Sequence, residues 1–399
     1  MSKEKNNKLI MRHEENILPE SFFLMKFCGL WQPYNLNLFQ KIIYDIYSIF
    51  MIITIIITGL SLIGVIISSE NIKDAIVENS FLLLSFFNSW VKGSILLLRQ
   101  RNIKSLLKVL MREQCHPTDI IELEVQKNYD KESKRITIIY SSSVGLTVVC
   151  MCLAVISKQG EERIKLLNTW RPYNLTVPLY FWITWIYQFL GYIVLASVHL
   201  ASDTLLPGFI IQLCCQLKFL QYRLNEFPCQ IEEILNSFKC DKLKLEKSFI
   251  SKTIIHHNTI FQFAKHLKST FVEMLFIQFL LSLIIICFSV FKISKENTVN
   301  YVNVVPLYAY VCCMLMQLFI FCFYGNKLML NSSNLQDTVL GINWLCLESG
   351  TKKSLIILMI CSTKPILISA GSMMFVNLDS FVMILKASYS AFNVLQHSV

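Results

Sequence analysis

Residues 337–399 read DTVLGINWLCLESGTKKSLIILMICSTKPILISAGSMMFVNLDSFVMILKASYSAFNVLQHSV. Two helical patterns are separated here by Lys364-Pro365 and Ala370-Gly371. Proline lacks an amide donor and glycine tolerates left-handed backbone, so both pairs interrupt a helix. The first pattern, 337–363, is amphipathic. The second, 378–396, is apolar and matches the ~20 residues that cross a bilayer. Six further hydrophobic runs of similar length lie upstream, at 42–67, 81–98, 136–156, 179–205, 271–291 and 302–324. The chain therefore reads as a single all-α membrane domain over 1–399 with seven transmembrane helices.

Composition agrees. Hydrophobic residues make up 54% of the 399 and charged residues 16%, against about 45–50% and about 25% in soluble domains. The formal net charge of +10 would suit a nucleic-acid surface, but the basic residues are distributed by loop. The segment before span one and those between spans two and three, four and five, and six and seven hold about 28 Lys and Arg, against about 7 in the other loops and the tail. Basic loops stay on the cytoplasmic side, so the N-terminus is expected inside and the C-terminus outside. Asn174-Leu175-Thr176 then lies outside as a glycosylation candidate at Asn174, while Asn331-Ser332-Ser333 lies inside and is silent. The polar N-terminal stretch is followed by no short apolar core at the right distance, so no signal peptide is expected.

This orientation opposes that of a G-protein-coupled receptor. The chain also lacks Asp-Arg-Tyr after span three and Asn-Pro-x-x-Tyr in span seven. Trp31-Gln32-Pro33-Tyr34-Asn35 and Trp170-Arg171-Pro172-Tyr173-Asn174 echo one another as the halves of a repeat-built transporter do, but they fall on opposite sides of the membrane with unlike flanks. No Walker loop, GxGxxG, HExxH or CxxC pair occurs, so neither an enzyme nor a cofactor is expected. Most of the cysteines lie in apolar runs and read as small hydrophobes. The adjacent His256 and His257 point different ways on a helix and complete no metal site.

The stretch 207–269 carries apolar residues at helical spacing, Leu213, Leu217, Leu220, Leu224 and then Ile254, Phe261, Ala264, Leu267. With 337–363 it is expected to form a cytoplasmic helical anchor bundle, which has little to bury alone and more between subunits.

Several motifs, in order, resemble those of insect odorant receptors: Cys28-Gly29-Leu30-Trp31, Asp203 to Leu206, Gln212 to Leu217, His257, Phe261, the run from Glu273 to Cys287, and Gly325-Asn326 closing span six. Trp344, Lys352, Lys364-Pro365, Ala370-Gly371, Phe381 and Ser388-Tyr389 follow. Leu340 and Leu345 stand where that family usually has aromatics. Gustatory receptors share the fold, but their tail pattern is not met, since Gln396 comes one residue late. The resemblance implies a tuning odorant receptor that binds a small hydrophobic volatile in the outer half of the bundle. It would gate a non-selective cation channel with the odorant receptor co-receptor, as a heterotetramer in the plasma membrane of olfactory dendrites. A gustatory receptor is the alternative, and a G-protein-coupled receptor or transporter is a more distant one.

On that reading Phe86, Phe87, Trp90, Cys150, Ala154, Tyr187, Gly191, Tyr308 and Cys312 are ligand-binding candidates, being aromatic or small residues of the outer half-spans. Tyr389, Phe392, Leu395 and Gln396 are pore and gate candidates, and Trp344, Lys364 and Pro365 belong to assembly. Asp203, near the inner end of span four, is costly in lipid unless paired. Lys92 reads as mid-span in helix two and at another depth, so the two are not expected to pair. Lys386 faces either the pore vestibule or a neighbouring helix. An epitope tag ahead of Met1 is expected to stain only permeabilised cells and one after Val399 to stain intact cells; the reverse result would overturn the orientation.

Overall fold

The structure is a computed structural model that describes residues 17–33, 36–69, 72–157, 178–237, 241–295, 301–371 and 374–398. The Asn174 sequon and its repeat-like Trp170 motif lie outside the described residues. The helices are α1 (Pro19–Phe27), α2 (Leu38–Ser68), α3 (Ile72–Leu98), α4 (Gln100–Leu110), α5 (Ile120–Ser157), α6 (Pro178–Ser237), α7 (Lys242–Lys295), α8 (Tyr301–Leu340), α9 (Ser349–Ser362) and α10 (Leu378–Ser398). Single 3-10 turns occur at Glu113–Cys115 and Trp344–Cys346, and a two-stranded ribbon pairs β1 (Ser369–Ala370) with β2 (Met374–Phe375).

The helix starts follow local chemistry. Asn37 caps α2 in a capping box with Gln40, whose side chain accepts from the Asn37 amide at 3.1 Å. The outward faces of α2 and α6 leave Ile46, Ile49, Ile53, Trp182 and Ile186 exposed. An apolar face that finds no protein partner is the surface lipid takes.

Among the described residues six helices are long and apolar enough to cross a membrane. The seventh, α10, has 21 residues but carries Asp379, Lys386, Asn393 and Gln396, and it packs against α7 and α8. Helices α6 and α7 run 60 and 54 residues. At 1.5 Å per residue α6 is about 90 Å long, some three times the hydrocarbon thickness of ~30 Å. Both helices are thus longer than one crossing of the bilayer needs.

Outside the lipid the chain is tied by charge. Glu122 is fully buried and accepts from Arg223 Nε at 2.6 Å and Nη2 at 2.8 Å, and from the Thr118 amide at 2.7 Å. Arg223 also donates to the carbonyls of Gln114 at 2.8 Å and His116 at 2.9 Å. The link between α4 and α5 is thereby fastened to α6. Burial, with the Arg223 guanidinium beside it, holds the His256 imidazole down at about 3, so it stays neutral in this packed corner.

The structure corrects two expectations about the tail. The pattern 337–363 is not one helix. It begins as the end of α8, breaks after Leu340 where Gly341 and Asn343 supply turn chemistry, passes through the Trp344–Cys346 turn, and resumes as α9. Gly325-Asn326 does not close a helix either, since α8 passes straight through it. Gly325 serves a close approach. A Cβ there would lie 2.0 Å from the Val376 carbonyl oxygen. The ribbon, turned by Gly371 at φ 65° and held by Val376 N to Ile368 O at 2.9 Å, presses its backbone into that gap. Gly325→Ala is expected to force this backbone apart at a cost of about 1–3 kcal/mol or more, seen as a lower melting temperature of the purified protein and reduced surface level. Gly59→Ala, where nothing lies within 4 Å, is the matched control.

Candidate functional site

Asp203 sits in α6 at 3% exposure and is met from three other helices. Lys92 of α3, fully buried, brings Nζ to 2.6 Å from Oδ1. The Tyr140 hydroxyl of α5 donates to Oδ2 at 3.0 Å, and the Gln317 amide of α8 donates to the same oxygen. Ser202 adds a bond of 3.3 Å to Oδ1. Such a carboxylate in lipid needs this many partners, because each unmet lone pair keeps its desolvation cost.

Lys92 and Asp203 therefore do pair, against the sequence expectation. Counting the span from residue 81 put Lys92 near its middle, whereas α3 begins at Ile72 and Lys92 lies only six residues before its end at Leu98. That is about 9 Å along the axis, which brings the long lysine stem to the depth of Asp203.

Against this polar cluster lies a cavity of ≈ 80 Å³ between α3, α5, α6 and α8. Its apolar wall includes Leu82, Val144, Met151, Leu195, Ala196 and Met314. Its polar side is Tyr140, His199, Gln317, Ser85 and Tyr310. His199 ties the two sets together: Nδ1 lies 3.2 Å from Lys92 Nζ, and Nε2 lies 3.3 Å from the Ser85 carbonyl. The lining residues of α5 (140, 144, 147, 148, 151) and α6 (192, 195, 196, 199) recur at helical spacing, so each helix gives the cavity one stripe.

None of the nine ligand-binding candidates lines this cavity. Phe86 is buried in the core, while Phe87 and Trp90 are nearly half exposed with rings 6.0 Å apart. Tyr187 is bonded to Thr58 of α2 at 2.9 Å, and Gly191 faces the same threonine, so both pack between α6 and α2. Cys150 and Ala154 are half-buried elsewhere on α5, and Tyr308 and Cys312 are exposed. The cavity takes Met151, Tyr192 and Cys313 in place of Cys150, Gly191 and Cys312. An offset of one residue turns a helical side chain by about 100°, and residue type alone does not set that phase.

On α10, Ile384 and Ser388 face the bundle while Val382, Lys386 and Tyr389 are exposed together. Phe392 is half-buried with its ring 6.4 Å from that of Tyr389, and Gln396 is exposed. The Leu395 side chain lies outside the described residues. Trp344 is half-buried and its Nε1 donates to the Leu340 carbonyl at 3.3 Å, closing its own turn rather than standing free. Lys364 is exposed, and Pro365 leads into Ile366, whose amide donates to Ser332 Oγ at 2.9 Å. Among the described residues no group of three His, Cys, Asp or Glu could hold a metal.

The family described as 7tm Odorant receptor matches residues 71–389. Odorant receptor 13a of Drosophila melanogaster is 24% identical over 82% of this chain and 81% of its own length. Odorant receptor 2a of the same fly is 21% identical over 92% and 93%. With odorant receptor 67c, also from that fly, the identity is 24%, but the match spans 57% of this chain and about half of that protein, 54%. The structure of the insect olfactory receptor OR5 from Machilis hrabei in complex with eugenol superposes with a TM-score of 0.78 over 98% of this chain and all of that one. Sequence identity there is 15%, so the likeness is one of fold.

Lys92→Met alone leaves Asp203 without its counter-charge, which costs about 3–5 kcal/mol for a buried pair. The expected result is a marked loss of surface protein by biotinylation and a lower melting temperature. The double variant Lys92→Met with Asp203→Leu is expected to recover most of both, because no unpaired charge remains. Single and double variants that behave like the parent would show that the pair does not hold these helices.

Proposed function

We propose a function from one premise: the chain belongs to the 7tm odorant receptor family. It is a seven-helix membrane protein of a receptor family, not of an enzyme family. On this reading it binds a small hydrophobic odorant and, with the odorant receptor co-receptor, gates a non-selective cation channel in the dendritic membrane of olfactory neurons. The observation that carries the reading is the mostly apolar cavity walled by α3, α5, α6 and α8. Buried apolar pockets with a few polar groups are what small ligands use.

The cavity's ≈ 80 Å³ is about half of the ~150 Å³ that accommodates benzene. An odorant therefore has to move the wall. Met151 and Met314 are the unbranched, easily re-folded side chains in it. A ligand that fits only the expanded wall binds that state better, and this difference in affinity is what shifts the gate. The pore belongs to α10, with Tyr389, Phe392, Leu395 and Gln396 near its narrow part, where an apolar ring excludes ions by drying. Trp344, Lys364 and Pro365 sit toward the subunit junction.

The test is whole-cell current in cells expressing this chain with and without the co-receptor. Odour-evoked current that vanishes when the co-receptor is omitted is the expected result, and Phe392→Ser should raise the ligand-independent current several-fold. Evoked current that persists without the co-receptor, or that depends on G-protein signalling, would overturn the reading.

A further inference from the structure

The polar side of the cavity has an unequal account of donors and acceptors. Tyr140 gives its hydroxyl hydrogen to Asp203. Lys92 has only donors, so His199 Nδ1 accepts from it, and the ring hydrogen resides on Nε2, directed at the Ser85 carbonyl. Ser85 Oγ donates to the Phe81 carbonyl at 2.7 Å, so the hydrogen between Ser85 and Tyr310 comes from Tyr310. The hydrogens of Tyr140, His199, Ser85 and Tyr310 are thus all committed to protein acceptors.

Gln317 is different. Its amide nitrogen is held by Asp203, and its Oε1 is buried with no hydrogen-bond partner, in a residue 1% exposed that lines the cavity. The amide cannot be turned over to hide that oxygen. Asp203, ionised beside Lys92, offers only acceptors, and an Oε1 facing it would be repelled. Tyr192 lines the same space with a phenol that can give or accept a hydrogen.

We propose that this cavity prefers small molecules bearing an O–H or N–H donor, alcohols and phenols above ethers and hydrocarbons of the same shape, because Gln317 Oε1 is an acceptor waiting for one. The inference rests on the reading that the cavity is the odorant site. An apolar occupant leaves Oε1 buried and unmet, which keeps its full desolvation cost. An alcohol answers it, and its own oxygen can accept from Tyr192. An ether of equal size accepts only, and so leaves Gln317 unmet.

The experiment uses the full chain purified with its co-receptor and three six-membered-ring probes of equal heavy-atom count: cyclohexanol, 2-methyltetrahydropyran and methylcyclohexane. Binding is read as thermal stabilisation, and gating as current in cells. Cyclohexanol is expected to bind about five- to tenfold tighter than the other two, the worth of one net hydrogen bond. Gln317→Met, of similar volume, should flatten the series. Ser202→Ala removes a bond to Asp203 from a residue that does not line the cavity and leaves Oε1 in place, so it should keep the preference for the alcohol. Equal binding of the three by the parent overturns the proposal, whether or not either variant folds. So does a Gln317→Met series that still favours the alcohol, a Ser202→Ala series that is flat, or no stabilisation by any probe. Alcohol-selective binding without current would sink the channel reading and uphold this one. Current without alcohol preference does the reverse.

Discussion

A carboxylate placed inside a membrane protein has to be answered on every lone pair, and Asp203 is answered by side chains from α3, α5 and α8 as well as from its own helix. Four helices are thereby bound to one point. Pro207, four residues on, supplies no amide to the Asp203 carbonyl, so the backbone at this turn is less regular as well. Away from that point the same helices diverge around apolar side chains, and the cavity is the gap that remains. Its polar side and its apolar wall are consequences of one charge.

The extramembrane half is organised by similar means. Arg223 and Glu122 fasten the α4–α5 link to α6. Lys242 Nζ donates to the Cys346 carbonyl at 2.6 Å, and Glu246 accepts from the Glu348 amide at 3.0 Å, so the turn between α8 and α9 is fixed to the start of α7. Leu345, at the tip of that turn, is 91% exposed, and Leu340 beside it is also bare. Both side chains stand on the outside of this chain's own bundle.

How much of this was legible follows from what hydropathy encodes. Length and apolarity made the all-helical membrane fold legible, because bilayer thickness imposes both. The continuity of α6 and α7 past the membrane could be read from the periodic leucines near Leu213 and Leu224. The phase of each helix could not. Cys312 and Cys313 are alike as residues, yet only the second meets the cavity. A usable signal did exist, in the polar residues that recur two helical turns apart inside apolar spans, Tyr192 and His199 on α6 and Tyr310 and Gln317 on α8. The role of Gly325 was beyond reach, since it depends on a backbone fifty residues away in sequence.

That glycine has a mechanical consequence. Gln317 and Gly325 are eight residues apart on one unbroken helix, about 12 Å along its axis. One end of this segment touches the cavity, and the other is keyed, backbone to backbone, to the strand that leads into α10. Backbone contacts lack the slack of side chains, which can change rotamer to absorb a displacement. A shift of α8 at the cavity would therefore press directly on the backbone that leads into the last helix, as a pushrod presses on its socket.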